Sequence, residues 1–333
     1  MTQATSPFSW LARFFGAQAK QKLLAFASLI ALLVVFSVLK PDAFMTQDNF
    51  IGILQSTTVI GVLAIASTFV IITSGIDLSV GVLMTFCAVM AGVFIVNLGF
   101  PLPLGIACAL AMGALSGGVS GLVITKLKVP PFIATLGMMM LLKGLSLLIT
   151  QTRPIYFSDV EGFDQISLGS LIGDVFPSLP IPNGVLILFL VAAVCALVLN
   201  KTALGRYTFA LGSNEEAVRL SGVNVDRWKV IIYTFAGGIC GISGLLIASR
   251  LNSAQPALGQ GYELDAIAAV VIGGTSLSGG VGTILGTIIG AFIMSVLING
   301  LRIMSVAQEW QMVLTGLIII LAVYTDNLRR NKP

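Results

Sequence analysis

"ITSGIDLSVG", residues 72–81, holds one carboxylate, Asp77, between two long uncharged runs. Residues 51–76 carry no charged side chain, and neither do residues 78–125. As one continuous helix, 51–76 would extend about 39 Å, more than the roughly 30 Å hydrocarbon core of a bilayer. Runs of this length and apolarity are read as helices in lipid, with Asp77 at the break between two of them. The whole chain agrees: of 333 residues 56% are hydrophobic and 10% charged, and the mean hydropathy is +1.01. Soluble domains carry about 25% charged residues. The fold class expected is an all-α polytopic membrane protein.

A helix crossing needs roughly 20 apolar residues. The expected spans are 23–39, 51–73, 79–98, 102–125, 132–150, 184–200, 230–249, 264–277, 281–301 and 309–324. Ten spans is the preferred count, falling to eight or nine if 264–301 is partly re-entrant. The polar segment 1–22 precedes the first span without a small-residue cleavage site, so that span is read as uncleaved. Lysine and arginine favour the cytoplasmic face. With both termini inside, that face holds Arg13, Lys20, Lys22, Lys126, Lys128, Lys201, Arg206, Arg219, Arg227, Lys229, Arg329, Arg330 and Lys332. Lys40, Arg153, Arg250 and Arg302 fall outside, and Lys143 falls within a span. Residues 1–333 then form one transmembrane domain, with a loop at 151–183 outside and a polar loop at 201–229 inside.

An internal echo accompanies the span pattern. "AIASTFVIITSGIDLSVG" (64–81) resembles "AIAAVVIGGTSLSGGVG" (266–282) with one gap, and both copies run from outside to inside. Two like-oriented halves imply a pseudo-repeat about an axis near the membrane normal. In the first copy Asp77 has two readings. It is the N-cap of a helix beginning near Leu78, with Gly75 as the turn residue. Alternatively the helix is broken beside a pathway, and Asp77 and Ser79 face water or substrate. On the second reading Thr73, Ser74, Asp77, Ser79, Glu263, Asp265, Thr275 and Ser276 are the translocation and gating candidates.

The longest polar stretch on the inside, "KTALGRYTFALGSNEEAVRLSGVNVDRWKV" (201–230), contains a second signal. Ser213 and Glu216 have the S-x-x-E spacing of a capping box, and Gly222 stands where a helix C′ residue is favoured. A short helix of about eight residues is expected, presenting Ala217, Val218 and Leu220 as an apolar side. That side packs on its own membrane domain or docks into a soluble partner; the second reading is preferred.

Several chemistries are poorly served. There is no histidine, so the commonest acid–base group and metal ligand is missing. The four cysteines sit in apolar runs without C-x-x-C spacing, and neither a metal nor a cofactor is expected. No Gly-Lys pair occurs, hence no Walker A loop, and ATP hydrolysis by this chain is not expected. The net charge of +4 is spread through short segments between spans, as topology would place it, which argues against nucleic acid.

"TSGIDLSVG", "ALGRYTFALGSNEEAVRLSGVNVDRWK" and "SAQPALGQGYELDAIAAVVIGGTSLSGGVGT" together resemble the permease subunits of bacterial ribose-type sugar ABC importers, in the same order and over roughly residues 40–328. The resemblance implies an inner-membrane permease working as a homodimer or heterodimer in lipid. Its partners would be an ABC ATPase subunit and a periplasmic sugar-binding protein. It further implies that 213–222 (Ser213, Asn214, Glu215, Glu216, Ala217, Val218, Arg219, Leu220 and Gly222) is the helix that couples to the ATPase. The cargo implied is a pentose, hexose or related sugar or polyol. An ion-coupled secondary transporter is the alternative, but such proteins hold several ionisable groups at mid-membrane, whereas here Asp77, Lys143 and Asp265 lie on separate segments. A membrane-embedded enzyme lacks any acid cluster to work with.

Overall fold

A computed structural model describes residues 17–177 and 179–330. The expected inside positions of Arg13 and Lys332 lie outside the described residues. The chain runs α1 (Ala17–Leu39), α2 (Pro41–Phe44), α3 (Gln47–Ile72), α4 (Val80–Gly92), α5 (Leu102–Lys126) and α6 (Pro131–Thr150). It continues with α7 (Leu171–Val175), α8 (Asn183–Lys201), α9 (Ala203–Ser213), α10 (Glu215–Leu220), α11 (Val225–Leu251), α12 (Tyr262–Ile272), α13 (Ile284–Ile303) and α14 (Gln308–Arg330). A π-turn, Val93–Asn97, extends α4.

Seven helices are long and apolar enough to cross a bilayer among the described residues: α3, α4 with its π-turn, α5, α6, α8, α11 and α13. The terminal helices α1 and α14 carry shorter apolar runs, Leu23–Leu39 and Gln308–Leu321. The expected span at 264–277 is realised differently. It is the 11-residue half-helix α12, about 16 Å long and too short to cross a bilayer alone. The re-entrant alternative for 264–301 therefore describes this region better than ten full spans. Glycine is the physical reason: Gly273 and Gly274 end the helix, with Gly274 at φ +96°.

Helix α3 is the axis of the bundle, with every residue from Thr57 to Ile72 buried. Around it, small residues let backbones touch. Gly113, Gly117 and Gly121 on α5 recur every four residues and meet Gly237, Tyr233 and Val230 on α11. A Cβ at Gly117 would overlap the Tyr233 carbonyl oxygen, so alanine there would push the pair apart. In lipid, such close approach replaces the hydrophobic drive that water would supply. The threonine hydroxyls of Thr68 on α3 and Thr287 on α13 bond across their contact at 2.7 Å. Outward, Leu141, Leu190, Leu197 and Leu317 are exposed, an apolar girdle that only lipid or another apolar surface accommodates.

At one end of the bundle, β1 (Ile155–Tyr156) pairs antiparallel with β2 (Ser253–Ala254). Phe157 and Phe163 stack at 3.7 Å beside it. Ser249 at the end of α11 donates to the Phe163 carbonyl (2.7 Å) and accepts from the Ser167 N–H (2.9 Å). The segment 155–167 is thereby sewn onto the helix ends. The opposite end carries α9 and α10. Both copies of the echo take the same form: helix, break, helix, with the breaks at 73–79 and 273–283.

Candidate functional site

Three segments meet at the α10 end. Helix α3 stops at Ile72, whose carbonyl accepts from the Gly280 N–H of the second break (2.9 Å). Thr73 turns its hydroxyl back to Val70 O (2.7 Å). Ser74 adopts φ +62°, uncommon for a residue with a Cβ, and its hydroxyl reaches Ser278 O (2.8 Å) and Gly212 O (3.4 Å). Gly212 belongs to α9, three residues before the first residue of the short helix α10. A Cβ on Gly212 would overlap Ile72 O and stand 2.6 Å from Gly280 N. The two breaks and the base of α10 thus form one knot with no spare volume. Of the expected candidates, Thr73 and Ser74 join it directly. Thr275 and Ser276 lie in the same glycine-containing break; both are buried, and the Ser276 N–H bonds Val281 O at 3.1 Å.

The short helix is present, with corrected boundaries. It spans six residues, Glu215–Leu220, and Asn214 is its N-cap, accepting from the Ala217 N–H at 3.0 Å. Ser213 instead ends α9 and donates to Phe209 O (2.9 Å), so the expected Ser213–Glu216 capping box does not form. The chain breaks one residue later than the spacing predicts, and asparagine caps as well as serine does. Gly222 has the expected left-handed φ, +84°. Glu215 pairs with Arg219 within the helix (3.0 Å) and ties the helix to α11 through Lys229 (2.7 Å). Partial burial pushes its carboxyl up, but Lys229 and Arg219 outweigh burial and hold it below the ordinary carboxylate range. The expected apolar side divides: Val218 packs on the membrane core, whereas Ala217 and Leu220 point away, Leu220 being 79% exposed.

Asp77 is 6% exposed and is not the helix cap that its spacing predicts. Its Oδ1 accepts both the backbone N–H (2.8 Å) and the hydroxyl (2.5 Å) of Ser79, closing an Asx-type turn. Ser79 occupies the cap position, but its hydroxyl is committed to Asp77 and makes no cap bond. Thr135 of α6 staples the same turn, donating to Ile76 O and accepting from Leu78 N–H, both at 3.2 Å. Gly75 is needed because a Cβ there would stand 2.7 Å from the Tyr233 hydroxyl.

The depth of this turn follows from helix pairing. Cys87 of α4 lies against Gly113 of α5, and Ile95 against Gly105, so the two helices are antiparallel. Val80 is then level with Ser120, and α5 continues to Lys126, about 9 Å farther towards the α10 end. Helix α4 therefore starts inside the bundle, and Asp77 sits buried in the gap below it. Glu263 of α12 comes to the same place. Its carboxylate accepts from the Gly261 N–H with both oxygens (3.0 Å each), and a Cβ on Gly81 would stand 2.6 Å from Oε2. Two buried carboxylates thus bracket the N-terminus of α4, the end with free N–H groups and positive dipole. Asp265 is half-buried on α12 and takes no part in this contact. Gly212, Ser278, Gly280 and Thr135 were not singled out from sequence; only the packing brings them in.

Comparison with known proteins gives a consistent result. The ribose import permease protein RbsC of Haemophilus influenzae is 43% identical over 306 residues, 91% of this chain and 92% of the relative. The fructose import permease protein FrcC of Rhizobium meliloti is 38% identical, covering 90% of this chain and 83% of its own length. The xylose transport system permease protein XylH of Escherichia coli is 34% identical, covering 92% and 91%. No solved structure matches the chain significantly. With all but the first two residues of α3, helices α4 to α13 and most of α14 inside the match, residues 49–323, the chain belongs to the branched-chain amino acid transport system / permease component family.

Proposed function

We propose that this chain is the transmembrane subunit of an ATP-driven importer that carries a monosaccharide from the periplasm to the cytoplasm. The observation that carries the reading is the identity of 34–43%, over nine-tenths of this chain, to permeases named for ribose, fructose and xylose. The family's own description names branched-chain amino acids, but these relatives are named for sugars, and we follow them for the cargo. On this reading residues 1–333 are one membrane domain with both termini in the cytoplasm. The 201–229 loop is cytoplasmic and the 151–183 loop periplasmic. A second permease chain, identical or related, completes the pathway, a soluble sugar-binding protein delivers cargo, and an ATPase subunit supplies the energy.

The coupling element is the segment 213–222. Exposed Leu220 and Ala217 fit a docking contact, and the clamp of Glu215 to Lys229 transmits load into α11. The breaks at 73–79 and 273–283, with Thr73, Ser74, Asp77, Ser79, Glu263, Thr275 and Ser276, are the gating region, and Asp265 lies two residues after Glu263 on α12. Purified in lipid, the chain alone is expected to hydrolyse no ATP, since it lacks a phosphate loop. Together with its ATPase and sugar-loaded binding protein, ATP-driven uptake is expected. Robust hydrolysis by the chain alone, or uptake driven by an ion gradient without ATP, would overturn the assignment.

Leu220→Asp tests the docking face. It adds a charge at an exposed site, so the fold tolerates it, but a charge buried in an apolar contact is costly. Co-purification of the ATPase and uptake are both expected to fall sharply while the permease stays in the membrane. Normal uptake by Leu220→Asp would mean that α10 is not the docking element.

A further inference from the structure

Lys143 stands where a lysine is costly. It lies on α6 about 18 Å from Pro131 and about 10 Å from Thr150, well inside the hydrocarbon thickness. A second gauge agrees. Thr135, eight residues earlier on α6, is stapled to the 76–78 turn, which places Lys143 level with Thr85 on the parallel helix α4. Thr85 in turn donates to Leu258 O (2.7 Å), fixing the 255–261 loop at that depth. The Lys143 ammonium donates to Gln260 Oε1 of that loop at 2.7 Å. Among the described residues no carboxylate forms an ion pair with Lys143.

Neither partner is hidden: Lys143 is half-buried and Gln260 exposed. Ionisable groups at this depth face the bundle interior or a water-filled cavity rather than lipid. The loop makes the same demand independently. Gly259 and Gly261, at φ +96° and +99°, flank Gln260 in irregular backbone, and such backbone within a membrane is tolerated only where protein or water satisfies it. Two unrelated costs are relieved by the same thing, water on this face.

We propose that Lys143 and Gln260 line the translocation pathway and hydrogen-bond the hydroxyl groups of the sugar in passage. This rests on the importer reading above. The ammonium offers three donors, and the amide offers donors and an acceptor, a set that suits an uncharged polyhydroxylated ligand. Their mutual bond exchanges for bonds to the sugar, so the station holds its cargo weakly and releases it onward. The loop bearing Gln260 leads directly into Glu263 and the start of α4, so cargo leaving this station meets the break containing Asp77.

The test uses the full complex of permease and ATPase in liposomes. Cys87, Cys195 and Cys240 are buried, so Cys108→Ala alone gives a quiet background for thiol labelling. Gln260→Cys and Leu190→Cys are compared, Leu190 being 64% exposed and seven residues from the start of α8 at Asn183, as Lys143 is seven residues from the end of α6 at Thr150. A charged, membrane-impermeant methanethiosulfonate is expected to modify Gln260→Cys roughly tenfold faster or more, because only a wetted thiol ionises. Lys143→Met is expected to lower uptake of ribose, fructose or xylose roughly tenfold, the worth of a hydrogen bond to a charged group, with complex assembly unchanged. Lys143→Arg should keep most of the uptake. Equal inertness of the two thiols, or full uptake by Lys143→Met, overturns the proposal. A parent complex that imports none of the three sugars with ATP defeats the importer reading instead, while thiol reactivity still decides whether this face is wet.

Discussion

Gly212→Ala is expected to all but abolish sugar uptake while leaving the membrane bundle folded. The methyl group would occupy the place of Ile72 O and press on Gly280 N, two atoms already joined by a hydrogen bond of 2.9 Å. Neither can retreat alone. Ile72 ends the wholly buried face of α3, and Gly280 is pinned beneath Ser213, whose Oγ a Cβ at Gly280 would meet at 2.8 Å. The segment free to move is α9, and α10 must move with it because only Asn214 separates them. Overpacking of this kind costs about 1–3 kcal/mol, too little to unfold the bundle but enough to shift a docking element off its seat. ATPase binding should persist through exposed Leu220, while hydrolysis loses its link to uptake. Gly222→Ala is the control. It too is a glycine of this loop, but a Cβ there meets nothing within 4 Å, and its φ of +84° costs alanine only about 1 kcal/mol. Uptake and hydrolysis measured on both variants separate transmission from simple destabilisation. Parent-level uptake by Gly212→Ala would show that the knot carries no load.

The parts of this architecture legible in the sequence are those set by local composition. The long uncharged runs mark α3 to α5, and the echo of 64–81 in 266–282 points to two helix–break–helix units. Gly222 closes α10 as expected, whereas the N-cap is Asn214 and not the Ser213 that the S-x-x-E spacing predicts. The rest depends on partners far apart in the chain. Nothing near Gly212 announces that Ile72 lies against it, and nothing near Gly81 announces Glu263. The same holds for Asp77. Its neighbours are those of a cap, and only the start of α4 at Val80, held by Thr135 from α6, converts it into a turn residue. Lys143 was visible as a lone charge within a span, but its partner Gln260 arrives from a loop that reads as lying outside.

The geometry at Asp77 makes a sharp prediction about charge. Both of its hydrogen bonds are accepted by one oxygen, Oδ1, from the N–H and hydroxyl of Ser79. Among the described residues no lysine or arginine pairs with it. An asparagine in the same rotamer presents the same acceptor, so Asp77→Asn is expected to keep the turn, the thermal stability and most of the uptake. Asp77→Ala removes the acceptor and leaves the N–H and hydroxyl of a fully buried Ser79 without it, at a cost of about 1–3 kcal/mol. The start of α4 then loosens against Thr135 and Glu263. A melting temperature lowered by a few degrees, with reduced uptake, is the expected readout. The two substitutions separate shape from charge because only alanine changes the hydrogen bonding. If Asp77→Asn assembles with its ATPase, melts like the parent and yet fails to transport, the turn is not what this carboxylate is for. Its negative charge, set beside the positive end of α4 and opposite Glu263, would then belong to the translocation step itself.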